Sequence, residues 1–329
     1  MSASHATSAD VAFDIGGTSI KCLTVTPESV LEVRTAPTFA HRGPEASLET
    51  VLQEVENTIA AVDPNYRIVG VGVASPGIVD EDRGVCLTSQ NLGWNNVTLR
   101  DLLSQRTGLP VVFGHDVRAG GLAEWYMDAG RCSSHQAYLS LGTGISCALI
   151  LDGVAILVDG HAGEIGHGGA PRGDPCLCGG YGCAETYASA AAMARRYTRL
   201  SGIQIDGARG LFVRLQSGDA LARQVWEDAL EGLADITSDL VRVTGISRTL
   251  VGGGLALSGE ELLAPLRIGS NARLTLHRTP EIVPATLGGL SGSWGAALLA
   301  WSAANYDIDS IAAQYCQRRR NRTLKETID

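Results

Sequence analysis

The sequence predicts a two-domain α/β fold built on a repeated unit, and three observations carry that expectation. Residues Val11 to Val25, VAFDIGGTSIKCLTV, read as strand, glycine turn, strand, and Tyr138 to Ile156, YLSLGTGISCALILDGVAI, repeat the pattern. Apolar runs of strand length alternate with stretches whose apolar residues recur at helical spacing. With 329 residues and 45% hydrophobic content, the chain is long enough for two ordinary domains with real cores. The boundary is placed at Asp116: an N-terminal domain over 1–116, a C-terminal domain over 117–306, and a final helix over 307–329 that packs back on the first domain.

In chain order, the first hairpin turns the backbone N–H groups of Gly16, Gly17 and Thr18 toward a phosphate. Asp14 can reach a Mg²⁺ through water and Thr18 a phosphate oxygen, although an ordinary hairpin turn has the same pattern. A third strand is expected near Val30 to Arg34 and a helix from about Ser47 to Ala61. Arg67 to Ala74, RIVGVGVA, is a near-continuous apolar strand of the kind buried on both faces. Leu109 to Phe113 is a second buried strand and runs into GHDVRAGGLAEW, with Ala119 to Glu124 opening a helix. Asp116 therefore stands at a strand end, where α/β folds put chemistry, though an Asp there is also a common helix N-cap.

Glu185 to Leu200 is alanine-rich and helical, and Ala220 to Val243 is a long amphipathic helix with Trp226, Leu230, Leu233, Ile236 and Leu240 on one side. TLVGGGLALSGEELLAPL, from Thr249, runs strand, glycine triplet, helix. The uncharged run from Pro284 to Tyr306 is crowded by Gly288, Gly289, Gly292 and Gly295, so a glycine turn entering a buried helix explains it better than a membrane span. Asp307 to Arg320 is a polar-to-basic helix.

The densest chemistry lies from Gly160 to Tyr187. His167, Cys176, Cys178 and Cys183 make a full tetrahedral set for Zn²⁺, a borderline-soft ion suited to thiolate and imidazole. A disulfide with a spare thiol, or three ordinary buried cysteines, are the alternatives, but one intervening residue makes Cys176 and Cys178 poor disulfide partners. Four protein ligands leave no open position, so the zinc is expected to be structural. Glu164 and Glu185 sit on the same loop, either as solvated charges or as binding groups on a metal-fixed scaffold. His167 can hold the metal with one ring nitrogen and a substrate hydroxyl with the other.

GEIGH over Gly163 to His167, followed by C-x-C-G-x-x-G-C-x-E over Cys176 to Glu185, resembles the ROK family of sugar kinases and sugar-responsive repressors. The likeness extends over nearly the whole chain. Pro76 to Asp80 resembles the family's P-G-x-V-D segment, Asn91 and Trp94 its sugar-side loop, Gly142-Thr143-Gly144 its second phosphate motif and Gly252 to Gly254 its adenosine-side motif. Trp94 suits a core anchor as well as a sugar platform. Two departures stand out: His115 replaces the Asn that precedes the family's Asp, and Ser146, Cys147 and Ala148 replace later glycines of the second phosphate motif.

What the resemblance implies is an actin/hexokinase-like (ribonuclease H-like) fold with a zinc-bound loop and an ATP-dependent kinase acting on a hexose hydroxyl. Glucokinase, converting glucose to glucose 6-phosphate, is the leading reading. An N-acetylmannosamine, N-acetylglucosamine or cyclitol kinase, or a non-catalytic sugar-binding or regulatory member, is the alternative, and polyphosphate is a second possible donor. Asp116 would be the catalytic base. Asn91, His115, Glu164, His167 and Glu185 would join it on the sugar, the bond from His115 being the one its replacement of Asn puts in question. Asp14, Gly16, Gly17, Thr18, Gly142, Thr143, Gly144, Gly252, Gly253 and Gly254 would hold Mg²⁺-ATP. A homodimer or higher homo-oligomer is expected.

A formal charge of -9 argues against a general nucleic-acid partner, and DNA binding is not expected, since the motif at Asp14 begins almost at once where the family's repressors carry a helix-turn-helix. The N-terminus, MSASHATSAD, lacks the basic and apolar regions of an export signal. Cys22, Cys86, Cys132, Cys147 and Cys316 lie in apolar segments and read as reduced core thiols, so a cytoplasmic protein free of the membrane is expected.

Overall fold

The computed structural model describes residues 7–127, 133–168 and 174–326. Cys132, the middle of the cysteine-rich loop (169–173) and both chain ends lie outside the described residues. The first elements are β1 (Thr7–Ile15), β2 (Ser19–Val25), β3 (Val30–Pro37), α1 (Pro44–Ala61), β4 (Tyr66–Ser75), β5 (Ile78–Asp80), β6 (Val85–Ser89) and β7 (Trp94–Val97). Next come α2 (Leu99–Thr107), β8 (Val111–His115), α3 (Asp116–Met127), β9 (His135–Leu141), β10 (Ile145–Leu151) and the two-residue β11 (Val154–Ala155). After the cysteine-rich loop follow α4 (Glu185–Ala188), α5 (Ala190–Ser201), α6 (Gly207–Gln216), α7 (Ala220–Thr244) and β12 (Arg248–Gly252). The chain ends with α8 (Glu260–Arg273), β13 (Glu281–Pro284), α9 (Ser291–Ala303) and α10 (Ile308–Glu326).

The chain divides into two compact units. One comprises Met1–Cys132, Gly153–Ala162 and Leu290–Asp329, the other Ser133–Asp152 and Gly163–Gly289. The boundary expected at Asp116 is thus displaced: α3 stays with the first unit, and α9, expected in the second domain, returns to the first. The reason is packing. Helix α9 lies on β1, β4 and β8 and runs along α3, so the apolar faces of both helices belong to the first core. Helix α10 also belongs to this unit, where Tyr315 Oη donates to Thr26 O at 2.7 Å.

In the first unit the sheet order is β3-β2-β1-β4-β8. β1 and β2 form an antiparallel hairpin, while β4 runs parallel to β1 and β8 parallel to β4. Phe13, Ile15, Val71, Val73 and Phe113 fill its core. The second unit repeats the theme: β9 and β10 form an antiparallel hairpin, β12 runs parallel to β9 and β13 parallel to β12. Its core takes in Trp226, Leu233, Ile236 and Leu240 of α7, with Leu230 packed at the edge.

A small antiparallel sheet, β5-β6-β7, occupies a stretch read from sequence as loop. Strands of three to five residues are too short for alternation to declare them. Helix α6 and strand β13 also escaped sequence reading. The single helix expected over Glu185 to Leu200 breaks at Ser189, whose side chain accepts the Ala192 N–H and caps α5. The uncharged C-terminal run is the buried α9, and among the described residues no helix is long and apolar enough to cross a membrane.

Candidate functional site

In the first unit the glycine turn between β1 and β2 is braced from outside the hairpin. Gly16 N–H bonds Ser19 O at 2.8 Å. Thr38 donates its hydroxyl to Gly16 O at 2.6 Å and its N–H to Thr18 O at 3.1 Å. Thr18 is exposed at the tip. Asp14 and Lys21 are cross-strand partners, with Lys21 Nζ 3.3 Å from Asp14 Oδ2. Burial raises the Asp14 carboxyl above its usual range, and the Lys21 charge opposes that rise. Sequence reading missed Lys21 and Thr38, although the hairpin register that places Asp14 opposite Lys21 would have found the first. Asn91 packs against this turn: a β-carbon on Gly17 would lie 3.2 Å from Asn91 Cβ. Trp94 is buried and donates from Nε1 to Ser47 Oγ at 2.9 Å, which makes it a core anchor and not a sugar platform.

Asp116 opens α3 directly after β8. Its Oδ1 accepts the N–H of Val117 at 2.7 Å, and its side chain is 22% exposed. His115 departs from the expected role on the sugar. It is buried, with Nδ1 accepting the Arg118 N–H at 3.3 Å and Nε2 standing 3.5 Å from Asp116 Oδ1. Burial, and then the Arg118 charge, push its pKa down to about 3. The imidazole is therefore neutral, with its proton on Nε2 facing Asp116. Arg118 itself is buried and held at Nε by Glu81 at 2.8 Å, a pair with no local signature because Glu81 lies 37 residues earlier.

In the second unit the turn between β9 and β10 is closed by Gly142 N–H to Gly144 O at 3.0 Å, with Thr143 exposed at its tip. Ser146, Cys147 and Ala148 lie in β10, the outgoing strand. Ala190 N–H bonds Gly142 O at 3.0 Å, and Glu185 Oε2 accepts the Ile145 N–H at 2.8 Å. Glu164 is half-buried near Cys147, whose thiol is pushed up to about 12 by burial and then by the Glu164 charge. His167 turns Nδ1 toward Cys176 Sγ at 3.5 Å and Nε2 toward Glu164 Oε2 at 3.8 Å. The triplet Gly252 to Gly254 starts on the last residue of β12, and the backbone of Gly253 abuts Leu141, so it adjoins the Gly142 turn.

His167, Cys176, Cys178 and Cys183 converge, their ligand atoms all within 4.8 Å of one another. A zinc ion with Zn–S of about 2.3 Å and Zn–N of about 2.0 Å spaces tetrahedral ligands roughly 3.8 Å apart for two sulfurs and roughly 3.5 Å for sulfur and nitrogen. The chain has 3.7 Å between Cys178 Sγ and Cys183 Sγ and 3.5 Å between Cys176 Sγ and His167 Nδ1. All three thiols are unbridged, so the donor set fits Zn²⁺. The geometry thus groups Asp14, Gly16–Thr18, Asn91 and His115–Asp116 within the first unit. It groups Gly142–Gly144, Glu164, His167, the three cysteines, Glu185 and Gly252–Gly254 within the second.

Two glycine turns, a strand-end carboxylate and a Cys₃His cluster on paired α/β units define a class, and comparison with known proteins names it. Residues 10–303 match the ROK family, and the chain belongs to it. It is 32% identical over 275 residues to a glucokinase of Thermotoga maritima, covering 78% of this chain and 85% of that protein. A Streptomyces coelicolor glucokinase is 30% identical over 326 residues, covering 88% and 96%. The structure of a ROK family glucokinase from Streptomyces griseus in complex with glucose and AMPPNP superposes with a TM-score of 0.77 at 28% identity, covering 89% of this chain and 99% of that one.

Proposed function

We propose that this protein is an ATP-dependent sugar kinase, a glucokinase that converts glucose to glucose 6-phosphate. The observation that carries this reading is Asp116, a half-buried carboxylate at the head of α3, in a ROK chain that keeps both glycine turns. Phosphoryl transfer to an alcohol asks little covalent chemistry of a protein and much positioning. Asp116 accepts the hydroxyl proton as the sugar oxygen forms its bond to the γ-phosphorus. The bond from the γ-phosphorus to the bridging oxygen breaks, and ADP leaves with that electron pair. Backbone N–H groups of Gly17 and Thr18 and of Thr143 and Gly144 hold phosphate oxygens, while those of Gly16 and Gly142 close the two turns, and the segment at Gly252–Gly254 serves the adenosine. Asp14, paired with Lys21, would face the hydration shell of the Mg²⁺ that accompanies the nucleotide, an ion that would neutralise phosphate charge.

Sugar hydroxyls fall to Asn91, Asp116, Glu164, Glu185 and the Nε2 side of His167 in this reading. One structural Zn²⁺ on His167, Cys176, Cys178 and Cys183 supplies loop rigidity. A coupled ADP-release assay over hexoses, amino sugars and cyclitols, with ATP and polyphosphate as donors, tests the reading. Glucose with ATP is expected to give the highest kcat/KM. Absence of sugar-dependent ADP release would sink the kinase reading, and a better amino sugar or cyclitol would move the specificity.

A further inference from the structure

Glu81 and Arg118 bracket Asp116 from both sides along the chain. Glu81 directly follows β5, and its Oε1 accepts the backbone N–H of His115, the residue before Asp116, at 3.4 Å. The same oxygen accepts from Arg118 Nε at 2.8 Å, two residues beyond Asp116 in the first turn of α3. The guanidinium is 2% exposed and the carboxylate 19%. Arg118 Nη1 donates to Gly160 O at 3.2 Å and to Ala162 O at 3.3 Å, both on a strap, Gly153–Ala162, that belongs to the same unit. The strap bends through three successive left-handed residues, Val158, Asp159 and Gly160, at φ of 46°, 52° and 86°. A β-branched residue keeps such a backbone only where its surroundings hold it. They do so here: a β-carbon on Gly160 would stand 2.3 Å from Val79 O, so the strap is pressed onto β5, two residues before Glu81.

We infer that Glu81 and Arg118 are positioning residues for Asp116: one carboxylate oxygen holds the chain on both sides of it, and the strap holds the guanidinium. The inference rests on the proposed reading of Asp116 as the base. Burying a guanidinium costs free energy that an ion pair and a few hydrogen bonds barely offset, so the pair is a poor source of stability. What it supplies is direction. Nε and Nη1 share one rigid plane, so the carboxylate on one side and the two carbonyls on the other fix that plane, and with it the first turn of α3. A reacting group misplaced by about 1 Å can cost about 10²-fold in rate, even where the change lies away from the chemistry.

The test uses the full-length protein with glucose and Mg²⁺-ATP. Arg118→Lys keeps the charge but puts a single nitrogen where a plane had served the carboxylate and both carbonyls. Glu81→Gln keeps an acceptor oxygen, and Glu81→Ala removes it. Arg118→Lys and Glu81→Ala are expected to lower kcat by about ten- to hundredfold, with the KM for glucose and for ATP within about threefold of the parent. Glu81→Gln is expected to stay within about threefold in all three constants. The decisive measurement places Arg118→Lys in the Asp116→Asn background, where it is expected to cost less than about twofold more because the group it positions is gone. If Glu81→Ala does not fold, Arg118→Lys carries the comparison. Unchanged kcat in Arg118→Lys, or an equal fall with and without Asp116→Asn, would overturn the inference and leave the base in place. A near-native kcat in Asp116→Asn alone would instead remove the base reading, and the inference with it.

Discussion

Gly292 lies against Asp14 so closely that a β-carbon added to it would stand 2.6 Å from the carboxylate carbon. The start of α9 therefore packs directly on the Asp14 carboxylate, and the absence of a side chain at Gly292 leaves room for the Asp14–Lys21 pair. Gly292→Ala is expected to destabilise the protein by about 1–3 kcal/mol, the usual cost of overpacking, and to raise the KM for Mg²⁺-ATP several-fold. Thermal unfolding and nucleotide kinetics check it. Native values of both would mean that Asp14 tolerates displacement.

Asp116→Asn keeps the shape of the side chain and removes the proton acceptor. The expected outcome is a fall in kcat of about 10²–10⁴ with little change in the melting temperature. Steady-state kinetics alongside calorimetry decide it, and a variant with near-native kcat would move the base elsewhere.

The metal is expected at one Zn²⁺ per chain. Structural zinc contributes roughly 10–16 kcal/mol in small peptides, comparable to the stability of a whole domain. Cys178→Ser is therefore expected to lose the ion and expose residues 160–187 to protease. Elemental analysis of protein purified without chelator, with limited proteolysis, provides the measurement; zinc-free protein with an intact loop would end the idea.

Asp10 supplies a pH signature far from the glycine turns. It is buried in β1 beside Gly70, and burial pushes its carboxyl up to about 8, with the Gly70 backbone drawing it partly back. An unfolded Asp titrates near about 3.9. Below about pH 4 both states are protonated. Between about 4 and 8 the folded chain keeps a proton that the unfolded chain releases, so this residue's contribution to stability declines as pH rises through that window. Asp10→Asn is expected to raise the melting temperature by several degrees at pH 8 and by much less at pH 4. Equal gains at the two pH values would show that Asp10 is not the titrating group.

The residues by themselves determined a good deal. Both strand–turn–strand motifs, the buried α9 and the four zinc-ligand candidates were legible because each is local: periodicity declares a hairpin or an amphipathic helix, and His167 to Cys183 is one continuous stretch. That Asp116 follows a buried strand and opens a helix was legible from the apolar run before it. Only the tertiary structure decided which far-off groups these motifs meet. It placed His115 in the interior with its Nε2 toward Asp116, put Glu185 Oε2 on the Ile145 amide, and returned α9 to the first unit against Asp14. A carboxylate on a loop is compatible with a sugar, a metal or a backbone N–H, and nothing in its neighbours along the chain separates these. Packing does, because a buried polar atom must take the partner that the surrounding elements bring within reach.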